Sequence, residues 1–230
     1  MSPPEPAATV LSTPPGDGRL VALTFDDGPS DFTPQILDIL RAKGVPATFF
    51  VTGRHVDLFP EHARRVLADG HLIGNHTHNH PQAVAGSVPY GHFDELPPAV
   101  QAAELERTTA TVTRVAGATP RFFRGPAGRH HHSVALVRGH GMTTVEWNVD
   151  TDDWAQPATT TAAATERIVA AATVDVPARV ITLMHDGKAS AEPESLVSAN
   201  RGNTVAALPR IIDWYAGQGY RFVAPDGSGI

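Results

Sequence analysis

From residue 20 onward the chain repeats one pattern: a short apolar run, a polar or Gly/Pro punctuation, then a longer stretch of helical period. The apolar runs predict strands over residues 20–25, 47–52, 72–75, 121–124, 142–147, 180–184 and 220–223. Between them, amphipathic stretches predict helices over residues 33–44, 61–69, 96–116, 133–138, 160–172 and 204–218. Thr33 and Pro34 read as an N-cap and first helical residue, and Gly44, Gly70 and Gly117 as stops. Seven strands alternating with helices imply parallel strands joined by helical crossovers. A closed barrel and an open doubly wound sheet both satisfy that pattern.

The polar clusters separate the two. Asp26 and Asp27 follow the first apolar run, and His76, His78 and His80 the third. Arg124 closes the fourth, residues 150–154 follow the fifth, and His185 follows the sixth. All of them lie at C-terminal strand ends. In a parallel barrel these ends share one face, whereas an open sheet would spread them along an edge. The expected fold class is therefore α/β, a distorted (β/α)7 TIM-like barrel forming a single domain over residues 19–230. Residues 1–18 hold five prolines and no apolar run, which predicts a disordered Pro-rich N-terminal arm rather than the hydrophobic segment of a signal peptide.

Composition narrows the chemistry. There is no Cys, so no thiol nucleophile and no Cys-ligated metal; any metal is left to His, Asp or Glu, and the chain has 12 histidines. A formal charge of −6 without any basic run leaves nucleic acid no electrostatic footprint. No stretch approaches the roughly 18 apolar residues of a membrane span. A monomer is expected.

Two adjacent carboxylates, Asp26 and Asp27, repel unless a cation or a shared proton relieves them. Because successive residues point in different directions, one can hold a metal while its neighbour faces substrate; a plain Asp-Asp-Gly-Pro turn is the competing reading. His76 and His78 would share a face in an extended chain, His76 and His80 over a helical turn, so spacing alone does not choose between the pairs. Either pair with one Asp makes a two-His-one-carboxylate site with positions open for water and substrate. The second cluster, His130, His131 and His132, reads as a solvated helix start, and His55, His62, His71, His92 and His140 as packing or surface residues.

Thr24-Phe25-Asp26-Asp27-Gly28-Pro29, His76-Thr77-x-x-His80-Pro81, Arg124-x-Pro126, Asp150-x-x-Asp153-Trp154 and Leu183-Met184-His185 stand in this order along residues 20–225. Together they resemble the five motifs of the polysaccharide deacetylases, carbohydrate esterase family 4, also called the NodB homology domain. The resemblance implies a metal-dependent hydrolase that removes acetyl groups from carbohydrate. The expected substrates are N-acetylglucosamine polymers or oligomers, chitin-like or peptidoglycan, ahead of acetylxylan. It implies Asp27, His76 and His80 as ligands of a divalent metal, zinc ahead of Co2+ or another ion, with His78 a bystander. Asp26 would be the general base toward the attacking water, and Arg124 its partner. His185 would be the general acid, its proton kept by Asp150, while Asp153 would join the arginine network. Ala127 would offer a backbone N–H to the oxyanion, Trp154 would wall the sugar groove, and Leu183 would line the acetyl-methyl pocket. The third motif commonly ends in Pro-Tyr-Gly; this chain has Pro126-Ala127-Gly128, so one aromatic wall of the sugar site is expected to be lost. A secreted or cell-envelope location is suggested by the resemblance alone. Two other functions stay open: a non-catalytic carbohydrate-binding relative, and a hydrolase of small cyclic amides or imides.

Overall fold

The computed structural model describes residues 10–85, 87–189 and 199–230. The elements in chain order are β1 (Val10–Leu11), β2 (Leu20–Ala22), β3 (Thr24–Asp26), α1 (Thr33–Lys43), β4 (Thr48–Val51), α2 (Gly53–Leu58), α3 (Pro60–Ala68) and β5 (Leu72–Asn75). They continue with α4 (Pro98–Ala116), β6 (Phe122–Phe123), α5 (Val134–Gly139), β7 (Thr143–Val145), β8 (Val149–Asp150), α6 (Ala162–Thr173), β9 (Arg179–His185), α7 (Gly202–Gly217) and β10 (Arg221–Phe222).

All strand pairs are parallel, and following them returns to the start. β3 pairs with β4, β4 with β5, β5 with β6 and β6 with β7; three residues later the same chain becomes β8, which pairs with β9, and β9 pairs with β3. The ring thus closes through one strand bent between two neighbours. This is the single-domain α/β barrel the strand–helix alternation predicts, and an open sheet is excluded. β10 lies against β2, whose other neighbour is β9.

Period-two alternation sorts the side chains into two layers. Ala22, Phe50, Phe122, Val145 and Ile181 form one small cluster, a residue each from β2, β4, β6, β7 and β9, which plugs the ring from inside. Their neighbours Val21, Phe49, Val51 and Val180 belong to the larger cluster, which joins α1 through Ile36, Leu37 and Leu40 and α7 through Leu208 and Ile211. Phe25 and Phe49 stack there at 5.0 Å. Each fully buried ring contributes about 1.5–3 kcal/mol. The inward face of β2 and β3 runs Ala22, Thr24, Asp26, so the same alternation that plugs the base of the barrel lifts Asp26 to its mouth.

Several expectations shift at their edges. Thr33 is the first residue of α1 rather than its cap; its Oγ1 accepts from the Ser30 N–H (2.8 Å) and donates to Asp186 Oδ2 (2.5 Å). The stop at Gly44 holds, with φ 65°. A separate helix, α2, precedes α3 and is capped by the Thr52 side chain. The disordered arm does not extend over residues 10–18: Val10 and Leu11 pair with Thr144 and Val145, because β7 offers an edge beyond β6 and this dipeptide carries the β-branched and apolar side chains that fit there. Residues 1–9 of that arm lie outside the described residues. Among the described residues no helix is long and apolar enough to cross a membrane.

Candidate active site at the barrel mouth

One cavity of about 440 Å³ opens at the C-terminal strand ends. Asp26, Asp27, His76, His80 and His185 line it, together with Ala127, Asp150, Trp154 and Leu183, so nine of the eleven residues singled out from sequence share its wall. Arg124 and Asp153 stand directly behind.

Asp27 leaves β3 with φ 73°, a left-handed turn that swings its carboxylate away from that of Asp26. Its backbone carbonyl accepts from His55 Nδ1 at 2.5 Å, a brace that sequence reasoning missed. Gly28 follows because a Cβ there would stand 2.0 Å from Asp186 Oδ2. Burial pushes the Asp186 carboxyl up to about 7.

His76 and His80 present Nε2 to Asp27 Oδ1 at 3.4 and 3.3 Å. Oδ1 is buried with no hydrogen-bond partner, and one donor atom from each of the three residues lies within 4.8 Å of the others. An unsatisfied carboxylate oxygen with two imidazole nitrogens converging on it in a buried site is what a divalent ion resolves, so the residues fit a metal. His76 Nδ1 donates to the Arg124 carbonyl (2.7 Å), which leaves Nε2 with its lone pair facing inward. His80 Nδ1 meets the Gln82 amide nitrogen at 2.9 Å; coordination through Nε2 requires that amide turned so that its oxygen accepts from Nδ1–H. Burial would raise the Asp27 carboxyl, but the imidazoles of His80, His76 and His185 outweigh it and hold the group well below the carboxylate range. Burial drives His80 down to about 3. His76 goes up, against its burial, through the charges of Asp26 and Asp27. His78 takes no part: its ring points to Gly53.

Arg124 is fully buried and all its donor arms are used. Nη1 donates to Asp26 Oδ1 (2.8 Å) and Thr24 Oγ1 (2.6 Å), Nη2 to the Glu146 carbonyl (3.0 Å) and Nε to the Val145 carbonyl (3.3 Å). Its Cζ lies 4.2 Å from the centre of the Phe50 ring. Burial lowers its pKa and the Asp26 charge opposes that. The pair fixes the Asp26 rotamer, with Oδ2 3.8 Å from His76 Nε2.

On the opposite wall, the carboxylate that meets His185 is Asp153, not Asp150 as expected. His185 Nδ1 bonds Asp153 Oδ1 at 2.7 Å, and the His185 N–H and Thr204 Oγ1 both donate to Asp153 Oδ2 at 2.8 Å. Burial opposes protonation of His185, but the Asp153 charge and hydrogen bond raise it to about 9. Asp153 itself is held low by His185 against its burial. It does not reach Arg124; the arginine whose charge it feels is Arg201. Asp150 accepts from the Asp152 N–H (2.9 Å), lines the cavity, and is raised chiefly by burial. Asp152, at φ 52°, turns the chain so that the next side chain, not Asp150, dives under His185.

The wall expected to be lost at Ala127 is occupied. Ala127 adopts φ 54°, and Trp147 lines the same cavity with its ring edge over Gly128, where a Cβ would stand 2.8 Å from Cη2. The sequence signal was present in the run Glu146-Trp147-Asn148, but periodicity alone gave it no role. His130 also departs from expectation: it is buried, with Nδ1 3.2 Å from Glu146 Oε1, while His131 and His132 are exposed.

A closed parallel barrel whose titratable groups gather at the C-terminal strand ends belongs to the enzyme barrels, in which the loops at that face carry the chemistry. The chain belongs to the polysaccharide deacetylase family, whose model matches residues 13–145. It is 38% identical over 197 residues to a chitooligosaccharide deacetylase of Bradyrhizobium sp. (strain ANU 289), covering 84% of this chain and 83% of the relative. It is 34% identical over 226 residues to a peptidoglycan-N-acetylglucosamine deacetylase of Bacillus cereus, covering 95% and 92%. Among solved structures, a family 4 carbohydrate esterase from Streptomyces lividans in complex with acetate superposes with a TM-score of 0.72 at 31% identity, covering 92% of this chain and 97% of that one.

Proposed function

We propose that this chain removes the N-acetyl group from N-acetylglucosamine-containing oligomers or polymers, chitooligosaccharide or peptidoglycan ahead of acetylxylan, with a divalent ion, zinc, held by Asp27, His76 and His80. The observation that carries this reading is the pairing of two opposed devices across one cavity: a carboxylate locked by an arginine, and an imidazole kept protonated by a second carboxylate. A binding module has no use for such a matched set. Two imidazoles and one carboxylate suit zinc or cobalt.

Asp27, His76 and His80 would hold the ion, which would supply an electrophile for the acetyl carbonyl and make the attacking water more acidic. Asp26, kept in one rotamer by Arg124, takes the proton of the attacking water. The Ala127 backbone N–H, carried on the left-handed turn at the cavity wall, is assigned to the oxyanion of the tetrahedral intermediate. His185, protonated at neutral pH because of Asp153, gives its proton to the departing amine as the C–N bond breaks. Leu183 packs the acetyl methyl, and Trp154 and Trp147 wall the sugar.

Acetate release from chitooligosaccharides, peptidoglycan fragments and acetylxylan, each with added zinc and with a chelator, tests the reading. The expected result is release from the first two, abolished by the chelator. No acetate from any of the three would sink the deacetylase reading; release indifferent to chelation would sink the metal.

A further inference from the structure

Among the described residues no ion pair reaches Glu104, and what this buried carboxylate binds instead is the ligand loop. It lies on α4 at 3% exposure. Its Oε2 accepts from the backbone N–H of His78 (2.9 Å) and Asn79 (2.8 Å), and its Oε1 from Asn79 Nδ2 (2.7 Å). Those are residues between His76 and His80. A carboxylate taken out of water is costly unless hydrogen-bonded, and three N–H donors to an ionised acceptor are strong bonds.

The loop needs such an anchor. Thr77 and His80 sit at φ 66° and 54°, left-handed conformations that cost L residues about 1–2 kcal/mol each. Within the loop, the Thr77 N–H donates to Asn75 Oδ1 (2.8 Å) and the His80 N–H to Thr77 Oγ1 (3.0 Å). Asn75 in turn donates to the Leu105 carbonyl of α4 at 2.9 Å. Glu104 is therefore the tie that runs from the helix to the residues separating the two imidazoles.

We propose that Glu104 is a positioning residue for the metal site: it fixes the separation and aim of His76 and His80 and thereby sets metal affinity without touching the ion. This rests on the reading of Asp27, His76 and His80 as ligands. Outer partners of metal ligands typically change affinity by about 10–100-fold when removed.

The test is metal binding, not turnover. Apo protein is titrated with Zn2+ and with Co2+ against a chromogenic chelator, and the Co2+ absorption spectrum is recorded. Glu104→Ala is expected to weaken both ions by about 10–100-fold and to alter the cobalt bands. Glu104→Gln keeps an oxygen for the two backbone N–H groups, and its new amide can donate to a turned Asn79 side chain; a loss of less than about tenfold with a wild-type cobalt spectrum is expected. Leu105→Ala, which thins the packing of the same helix on Phe93 and Phe123, should lower Tm while leaving affinity within about twofold. Wild-type affinity in Glu104→Ala overturns the proposal, as does an equal loss in Leu105→Ala. If Glu104→Ala does not fold, a Glu104→Gln variant as weak as one lacking a ligand overturns it. Wild-type protein that takes up neither ion overturns the ligand reading itself, a failure distinct from the other two.

Discussion

The two walls of the barrel mouth are built by different means. On the ligand wall, Asp26 and Asp27 close β3 and His76 follows β5, so strand ends themselves deliver the groups, and neighbouring backbone carbonyls fix two imidazole tautomers at His55 and His76. On the acid wall, His185 ends β9 but its partner Asp153 arrives on a turn after β8, steadied by Thr204 from α7, an element 50 residues downstream. A group placed by a strand end is placed by local periodicity. A group placed by a turn depends on which residue takes the left-handed conformation, here Asp152, and on what a distant helix offers.

The sharpest break in this comparison lies on the ligand wall. Asp27→Ala should abolish zinc retention in elemental analysis of the dialysed protein, and turnover should fall by about 10³-fold or more. Asp26→Asn should retain zinc and lose about 10²–10⁴ in kcat. Zinc loss in Asp26→Asn would mean that base and ligand are wrongly divided.

Next comes the acid wall. The acid must hold its proton, and His185 does so up to about 9, so kcat should fall on the alkaline side near that pH. Asp153→Asn removes the charge that raises the imidazole, so the fall should move down by about one pH unit or more, with kcat lowered by about tenfold to a hundredfold. Asp150→Asn should cost less than about tenfold and leave the alkaline limb in place. A limb that moves with Asp150 and ignores Asp153 reverses the assignment made from the geometry.

Smaller effects follow at the aromatic walls. Trp147→Ala and Trp154→Ala should each raise KM by roughly threefold to tenfold, with kcat less affected, from the lost ring contact. An unchanged KM in Trp147→Ala removes it as the wall that stands beside Ala127.

The mildest test sits at the far end of the strand that carries His76. His71 is buried beside Phe49 at 5.8 Å with neither ring nitrogen bonded, and burial holds its pKa below the ordinary 6.5. The unfolded chain therefore takes up this proton more readily, and stability is lost as pH falls through about 6.5. Replacing it by Phe should shrink the drop in Tm between pH 7 and pH 5 by about 2 °C relative to wild type. A drop of equal size in both proteins would show that His71 is not among the groups that destabilise the fold in acid.

Much of this site was legible beforehand, for reasons that differ residue by residue. Asp26 and Asp27 could be put at the mouth because they follow the first apolar run, although which of them faces the ion came from the resemblance. Choosing His80 over His78 needed the family resemblance, since spacing left both pairs open. The geometry supports that choice: His78 turns to Gly53 while Thr77 and His80 adopt left-handed backbone. Which of Asp150 and Asp153 meets His185 was not legible, since three residues of turn can present either carboxylate to it. Trp147 and Gln82 stand close to the motifs, but nothing local gave either of them a role; His55 and Glu104 carried no signal, because each acts through a contact with a residue far away in sequence. The ordered dipeptide Val10–Leu11 hid for the same reason: its partner is β7.

By itself the sequence determined the alternation of parallel strands and helices, the face of the barrel that carries chemistry, and the types of group available there: imidazole and carboxylate in the absence of any Cys. These follow from periodicity and composition, which act over a few residues. Tertiary structure decided the pairings, Arg124 with Asp26, Asp153 with His185, and Glu104 with the ligand loop. A charged group in a closed barrel must find its partner in three dimensions or stay in water, and which partner it finds is fixed only when strands distant in sequence become neighbours.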